Sequence, residues 1–405
     1  MELPQPRSLH DVIVDGAIAQ ADVDAAFAAT LGGVTGVEFT TPQPQEDTPD
    51  APVKVRVHIR GGRLLDMSGV RVARVVGGEW TWLSARGEAF DVDELRGTVP
   101  ASEELVAAAR TLFGNEPVLL APHHDDAGTS SVIAVTSDLP VSTPRTAITT
   151  GISRLASGQD ARRALVAFAA ARGLGVQESG DRLGFSDGTV VTLADGRATD
   201  IAPGPSLAQV RDDAWFTSVE HQLLLDGRYP DREIHWAPGA PTATIRTGDG
   251  AEVTVSAEVT GVVSEGVFHW AWAWPAAGVL PPGSAALRLR DFGLEAGIPS
   301  FTVPRQDWEQ VRVDKLLDAA KPVLGLWTHA IIPLATGVDV SLALDAPQLR
   351  LPAVTAATAQ AVLTRDEGVS DRRRAVAAYA RFRGMRVEGD RLRLPSGEEV
   401  EVDAS

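Results

Sequence analysis

The densest set of side chains able to do chemistry is His123-His124-Asp125-Asp126. Neutral imidazole and carboxylate together would suit zinc or manganese. Adjacent residues seldom ligate one ion, however, and no second cluster stands out to complete a shell, so the competing reading is a solvated loop. The chain has no Cys, which removes disulfides, thiolate nucleophiles, Cys-ligated zinc and iron–sulfur clusters. It has no His-Glu-x-x-His, no Gly-x-Ser-x-Gly and no phosphate loop ending in Gly-Lys-Ser/Thr. Gly32-Gly33 and Gly61-Gly62 read as turn glycines. No cofactor is expected, and no catalytic residue is assigned. The balance leans toward a binding or interaction protein with a protein or small-molecule partner. A metal-dependent hydrolase using His123, His124, Asp125 and Asp126 is the rival.

The tryptophans are the second candidate. Nine are present, seven of them after residue 203. If His269-Trp-Ala-Trp-Ala-Trp-Pro275 is a strand, its period of two puts Trp270, Trp272 and Trp274 on one face, with Phe268. Trp308 and Trp327 lie on elements that could reach them. Such indoles fill a core, each N–H finding a partner, or line an aromatic groove for a small ligand, sugar or peptide. Trp80 and Trp82 are the only tryptophans of the first half. A third candidate is the stretch from Asp371 to Arg393, with eight Arg and three acidic residues. A basic patch there could hold nucleic acid. Against it, 375–380 reads Ala-Val-Ala-Ala-Tyr-Ala, without base-reading side chains.

Charge bears on the partners. Lys+Arg total 37 and Asp+Glu 54, a formal net charge of −17. The excess is shared, with 17 basic against 27 acidic residues in 1–203 and 20 against 27 in 204–405. A field of this sign repels nucleic acid and anionic membrane, and it favours solubility. Only Lys54, Lys315 and Lys321 are Lys. That bias, with much Ala, Val and Gly, suggests a bacterium with a GC-rich genome. No window approaches the ~20 apolar residues of a membrane span, and the start of the chain lacks the pattern of a signal peptide. A cytoplasmic protein is expected.

The elements that must position these residues come in two sets. Asp160-Ala-Arg-Arg-Ala-Leu-Val-Ala-Phe-Ala-Ala-Ala-Arg-Gly173 lines up with Asp371-Arg-Arg-Arg-Ala-Val-Ala-Ala-Tyr-Ala-Arg-Phe-Arg-Gly384, and Gly180-Asp-Arg-Leu183 with Gly389-Asp-Arg-Leu392. Weaker matches precede them in order. Ser8-Leu9 falls on Ser206-Leu207, Trp80-Thr-Trp82 on Trp272-Ala-Trp274, and Val99-Pro100 on Val303-Pro304. Glu116-Pro-Val-Leu119 falls on Lys321-Pro-Val-Leu324, and His124 on His329. The expected fold class is α+β. It consists of two tandem homologous units, 1–203 (degenerate) and 204–405, joined near Ala202-Pro203-Gly204-Pro205. Each unit should have an N-terminal helix, an antiparallel sheet with a Trp-rich strand, further helices and a terminal helix–helix–hairpin.

Local signals agree. Ser206-Leu-Ala-Gln209 has capping-box form and predicts a helix to about Gly227. Val53 to Arg60 alternates as a strand, as do Val253 to Val259. Pro100 and Pro304 are expected to open helices at the first turn, the latter running through Trp308 and Lys315 to Lys321. Further helices are expected over 352–365 and 371–383, with a hairpin over 385–402. The Pro- and acid-rich segment 41–52 reads as a flexible loop.

The second set resembles a bacterial domain family of unknown function marked by a Trp-x-Trp-x-Trp-x-Asn strand. That strand is followed in the family by Tyr/Phe-Gly-x-x-x-Gly-Ile. Here the strand is Trp270-Ala-Trp-Ala-Trp-Pro-Ala276 and the later segment Phe292-Gly-Leu-Glu-Ala-Gly-Ile298. Asp212-Asp213-Ala214 and Ser218-Val-Glu-His-Gln222 also look like the family. The resemblance covers about 206–345. Ala276 stands where the family has Asn, and the first set lacks the Phe-Gly segment. No activity is implied by the resemblance.

Overall fold

A computed structural model describes residues 3–31, 33–40, 48–123, 125, 127–155, 158–274 and 280–402. The chain divides into two compact units, 1–203 and 204–405. Within the first, α1 (Leu9–Leu31) leads to β1 (Val34–Phe39), β2 (Pro52–Ile59), β3 (Arg63–Val76), β4 (Glu79–Trp82) and β5 (Thr98–Pro100). Next come α2 (Glu103–Leu112), β6 (Val118–Pro122) and β7 (Ser130–Val135). The unit ends in α3 (Pro144–Ile152), α4 (Ala161–Ala171) and the strands β8 (Val176–Ser179), β9 (Arg182–Phe185), β10 (Val190–Ala194) and β11 (Arg197–Ala202).

The first sheet runs β1-β2-β3-β4-β5, with β7 on β3 and β6 on β7. The long β3 carries the assembly. Its residues 63–70 pair with β2 and 73–76 with β4, while 69–75 pair with β7. One extra residue, Val72, bulges the strand between Arg71 and Ala73. Bulges bend and twist a strand, and the sheet curls until β1 lies along β6. Alternation in β2 sends Val53, Val55, Val57 and Ile59 to the inside of the curl, where they meet Ile133 and Val135. The other side of the sheet, with Trp80, Trp82 and Val132, packs on α1 and α2. A further core joins α1, α3 and α4 to the strands β9, β10 and β11.

In the second unit α5 (Leu207–Arg228) leads to β12 (Glu233–Trp236), β13 (Thr242–Arg246), β14 (Glu252–Ser264) and β15 (Val267–Trp270). Next come α6 (Ala285–Ala296), β16 (Arg305–Asp307), α7 (Trp308–Val313), α8 (Leu316–Leu324), β17 (Thr328–Ala335) and β18 (Val338–Asp345). Then follow α9 (Ala356–Leu363), α10 (Arg372–Arg383), β19 (Arg386–Glu388), β20 (Arg391–Arg393) and β21 (Glu399–Glu401). Ser206 and Gln209 form the reciprocal capping box at the start of α5. The sheet order is β12-β13-β14-β15-β16, with β18 on β14 and β17 on β18. This matches the first unit strand for strand. The extra residue recurs as Thr260, between Val259 and Gly261.

Several expectations are corrected. Neither Pro100 nor Pro304 opens a helix. Pro100 ends β5, and Ser102 caps α2 by accepting from the Leu105 N–H. Pro304 precedes β16, and Asp307 caps α7. The helix expected on to Lys321 breaks at Lys315, which takes a left-handed φ of 52° before α8 begins. The helix expected over 352–365 starts only behind Thr355, whose hydroxyl accepts from the Thr358 N–H. The segment expected as one hairpin over 385–402 is three strands. Of the loop expected over 41–52, residues 41–47 lie outside the described residues, and Pro52 already belongs to β2.

Candidate functional site

The tryptophan run is not one strand. β15 stops at Trp270, and residues 271–273 turn as a 3₁₀ helix. The β15 ladder on β14 ends with Trp270 opposite Gly261, the residue that follows the bulged Thr260, and it does not continue past the bulge. The three indoles therefore separate. Trp270 is fully buried between sheet and helices and donates its indole N–H to the Ser300 carbonyl at 2.9 Å. Half-buried Trp272 packs on that same core, whereas Trp274 packs against the core inside the curl. Phe268 meets Trp270 edge-on at 4.9 Å and stacks on Trp308 at 6.1 Å. Trp327 does not join them. It stacks on His221 at 6.0 Å and meets Phe382 edge-on at 5.0 Å.

The Phe-Gly segment is the other half of this arrangement. α6 ends at Gly297 with φ of 72°, a left-handed cap that suits Gly. The Ile298 N–H returns to the Gly293 carbonyl. A Cβ at Gly293 would sit 2.7 Å from the Cβ of Phe301. The turn that presents the Ser300 carbonyl to Trp270 is thus built by the residues that follow α6. In the first unit two short 3₁₀ turns, Arg86–Ala89 and Asp93–Leu95, span from β4 to β5 instead. There the Trp82 N–H finds the Glu94 carbonyl at 2.9 Å.

Ladder register revises the sequence matches. Trp82 pairs with Ala73, the first residue after the bulge, and Trp270 pairs with Gly261, in the same place. Trp82 therefore answers to Trp270, and Trp80 to Phe268, rather than to Trp274 and Trp272. Both pairs are edge-on, that of Trp80 and Trp82 at 5.2 Å. Trp80, Trp82 and Trp270 are buried. Likewise Val118 faces Ala134 across the ladder, and His329 faces Ala343. His329 thus answers to Val118 and not to His124. Pro322 lies inside α8 while Pro117 precedes β6, so that four-residue match does not superpose either.

His123 and Asp125 do not converge. The His123 Nε2 is 2.8 Å from the Ser131 Oγ, and its ring meets Phe39 edge-on. Asp125 accepts from the Thr129 N–H, which holds its carboxyl below the ordinary value. It closes the β6–β7 turn. His124 and Asp126 lie outside the described residues. Among the described residues no three His, Asp or Glu gather as a metal site. Among the described residues, half of the eight Arg in the Arg-rich segment are held in ion pairs at home. Arg374 binds Asp213, Arg383 binds Glu220, Arg372 binds Asp366 and Arg391 binds Glu399. The Ala-rich face of α10 is core against α5.

A buried polar cluster escaped the sequence reading. Lys321, on α8, donates to the Ser218 Oγ of α5 and to the Asp318 Oδ1 at 2.7 Å; the Ser218 hydroxyl donates to the same carboxylate at 2.8 Å. His329, on β17, borders it, and neither of its ring nitrogens has a hydrogen-bond partner among the described residues. Serine activated by lysine needs a neutral amine accepting the hydroxyl proton. Here the Lys321 amine donates to the hydroxyl, and the hydroxyl donates to the Asp318 carboxylate, the reverse of that arrangement. Burial raises the Asp318 carboxyl, but Lys321 and Ser218 outweigh it and hold it below the ordinary value. The cluster ties α5 to α8. Its one signal in the sequence was a Lys among so many Arg.

The histidines beside the cluster give it an acid sensitivity. Burial, then the charge of Lys321, lowers His329 from 6.5 to about 3. Burial, then Lys321 and Arg383, lowers His221 to about 4. Both are neutral in the fold at pH 5, whereas in the unfolded chain both protonate below about 6.5. The full contribution is present above pH 6.5 and is lost as pH falls toward 4. The slope is about 1.4 kcal/mol per pH unit for each histidine. Urea midpoints followed by Trp fluorescence should drop between pH 7 and pH 5, and His329→Gln should flatten the fall. An unchanged slope in that variant would refute the assignment.

An open concavity of the second unit lies elsewhere. A groove of about 420 Å³ is lined by Ile234, His235 and Trp236 of β12, Thr242 and Thr244 of β13, Ile332 and Pro333 of β17, and the loop residues Ala237 and Ala240. The Trp236 indole donates to the Ala240 carbonyl at 2.8 Å, which fixes the ring as part of the wall.

These features define an α+β chain whose units each hold a curled antiparallel sheet under a long first helix. Residues 208–347 match a family model described as "Family of unknown function (DUF6882)". The match runs from α5 through β18 and stops before α9, so it takes in the Trp270 strand, the Phe-Gly segment, the buried cluster and the groove. No curated protein and no solved structure matches the chain. Among the described residues no helix is long and apolar enough to cross a membrane.

Proposed function

We propose that the chain is a tandem pair of related units that bind rather than catalyse, and that the second unit holds its ligand in the groove beside Trp236. The groove itself carries the reading: it is concave, open, free of Lys, Arg, Asp and Glu in its lining, more polar than apolar in exposed surface and bordered by a fixed indole, within the size range of about 300–1,000 Å³ usual for ligand sites. Among the described residues, His123 and Asp125 bond within the β6–β7 turn, and Ser218, Asp318 and Lys321 bond one another. The duplication is supported by the shared strand order, by the bulges at Val72 and Thr260, and by two ion pairs. On the first helix Asp15 and Asp22 hold Arg163 and Arg172; in the second unit Asp213 and Glu220 hold Arg374 and Arg383. The same reading takes the chain as a cytoplasmic bacterial protein, on its cysteine-free, Arg-rich composition.

Ligand-observed NMR of the full chain against small uncharged polar and aromatic compounds tests the groove. Compounds that bind should lose their signal with Thr242→Arg, which fills the groove from an exposed position. Binding untouched by that variant would move the site elsewhere. Stoichiometric zinc or manganese in the purified protein, lost in His124→Ala, would favour the enzyme reading instead.

A further inference from the structure

We infer that the occupant of this groove is an extended, uncharged stretch of polypeptide, which rests on the groove being the binding site. The groove lies between two strand edges that have no strand partner among the described residues. β12 ends its sheet and there pairs only with β13, and β17 only with β18. β12 offers a row of backbone N–H and C=O groups, and extended backbone is the chemistry that pairs with such a row; on β17 Pro333 has no N–H to offer. In the first unit the answering strands β1 and β6 run together over a longer stretch, whereas β12 and β17 approach only briefly.

Edges are usually blunted by charge. β17 reads Thr-His-Ala-Ile-Ile-Pro-Leu-Ala and has no Lys, Arg, Asp or Glu. Its Ile331 and Leu334 are 43% and 37% exposed. β17 is nonetheless guarded at Pro333 and at the register shift after it, and on β12 Glu233 stands 3.4 Å from His235, so the open stretch is the backbone of β12 beside Trp236. The lining has no fixed charge, only the imidazole of His235. In a chain of net charge −17, an anionic ligand would find no cation there. The occupant is a strand of apolar and small polar residues that adds to β12 and seats a side chain against Trp236.

Short linear peptides displayed on phage, selected against the full chain, supply the probe. An enriched peptide is then made with capped termini, and again with every second backbone amide N-methylated. The expected result is uncharged sequences, binding lost with Thr242→Arg, and binding weakened about tenfold or more by N-methylation through lost backbone hydrogen bonds. Hydrogen exchange should slow at the amides of β12. Equal binding of the N-methylated peptide would overturn the strand inference while leaving the groove as a site. Enrichment of charged, salt-sensitive sequences would also overturn it. If no selected peptide responds to Thr242→Arg, the groove reading itself fails.

Discussion

Trp270→Ala should destabilise the second unit by about 3–5 kcal/mol, the usual cost of removing a buried large aromatic. Trp270 is fully buried and touches Phe268 and Phe301 as well as the Ser300 carbonyl. Its loss opens a cavity and leaves that carbonyl without its donor. Trp272→Ala should cost clearly less, because Trp272 is only half-buried and its indole nitrogen has no hydrogen-bond partner among the described residues. Urea unfolding of the full chain measures the difference. Seven of the nine tryptophans lie in the second unit, so indole fluorescence reports mainly on it. Equal losses for the two variants would contradict the separation of the indoles. A negligible loss for Trp270→Ala would contradict its place in the core.

That pair of residues also marks how far the sequence could be read. The period of two across Trp270, Trp272 and Trp274 was sound as a local pattern. It failed because strand length is set by partners, and the pairing of β15 with β14 ends at Gly261, beside the bulged Thr260, which no spacing within the Trp run reveals. The capping box of Ser206 was legible because all its parts lie within four residues. The matching helices α4 and α10 were legible because Arg163 and Arg374, with Arg172 and Arg383, hold the same places. Their acidic partners lie some 150 residues away on α1 and α5, so no local window could pair them. The groove was hidden for the same reason. Trp236 and Ile332 share a wall only because the sheet curls. His329 and Lys321 looked ordinary in sequence, since burial and not residue type sets them apart.

The second large effect is expected at the ion pair between α5 and α10. Glu220 has 4% of its side chain exposed, and Arg383 lies 2.9 Å from it. Tyr379 donates its hydroxyl to the same carboxylate at 3.0 Å. Burial pushes the Glu220 carboxyl above its ordinary value, with Arg383 and then Tyr379 opposing the rise. Arg383→Met keeps the apolar stem and removes the charge. Breaking a buried pair by deleting one partner typically costs about 3–5 kcal/mol, because the other charge stays uncompensated. The remaining carboxyl should then titrate higher still. A group whose folded value is raised stabilises most below its unfolded value, and that contribution is lost as pH rises through the folded one. Arg383→Met should therefore lose least against the parent near pH 4 and most near pH 7. Pairing it with Glu220→Leu should recover much of the loss, since an apolar pair of similar volume often replaces a buried ion pair without penalty. The matched substitution Arg172→Met should act on the first unit in the same direction through Asp22, which is 5% exposed. Urea midpoints of the three variants at both pH values decide the matter. If Arg383→Met is as stable as the parent at pH 7, or if Glu220→Leu deepens its loss, the ion pair does not hold α10 to α5.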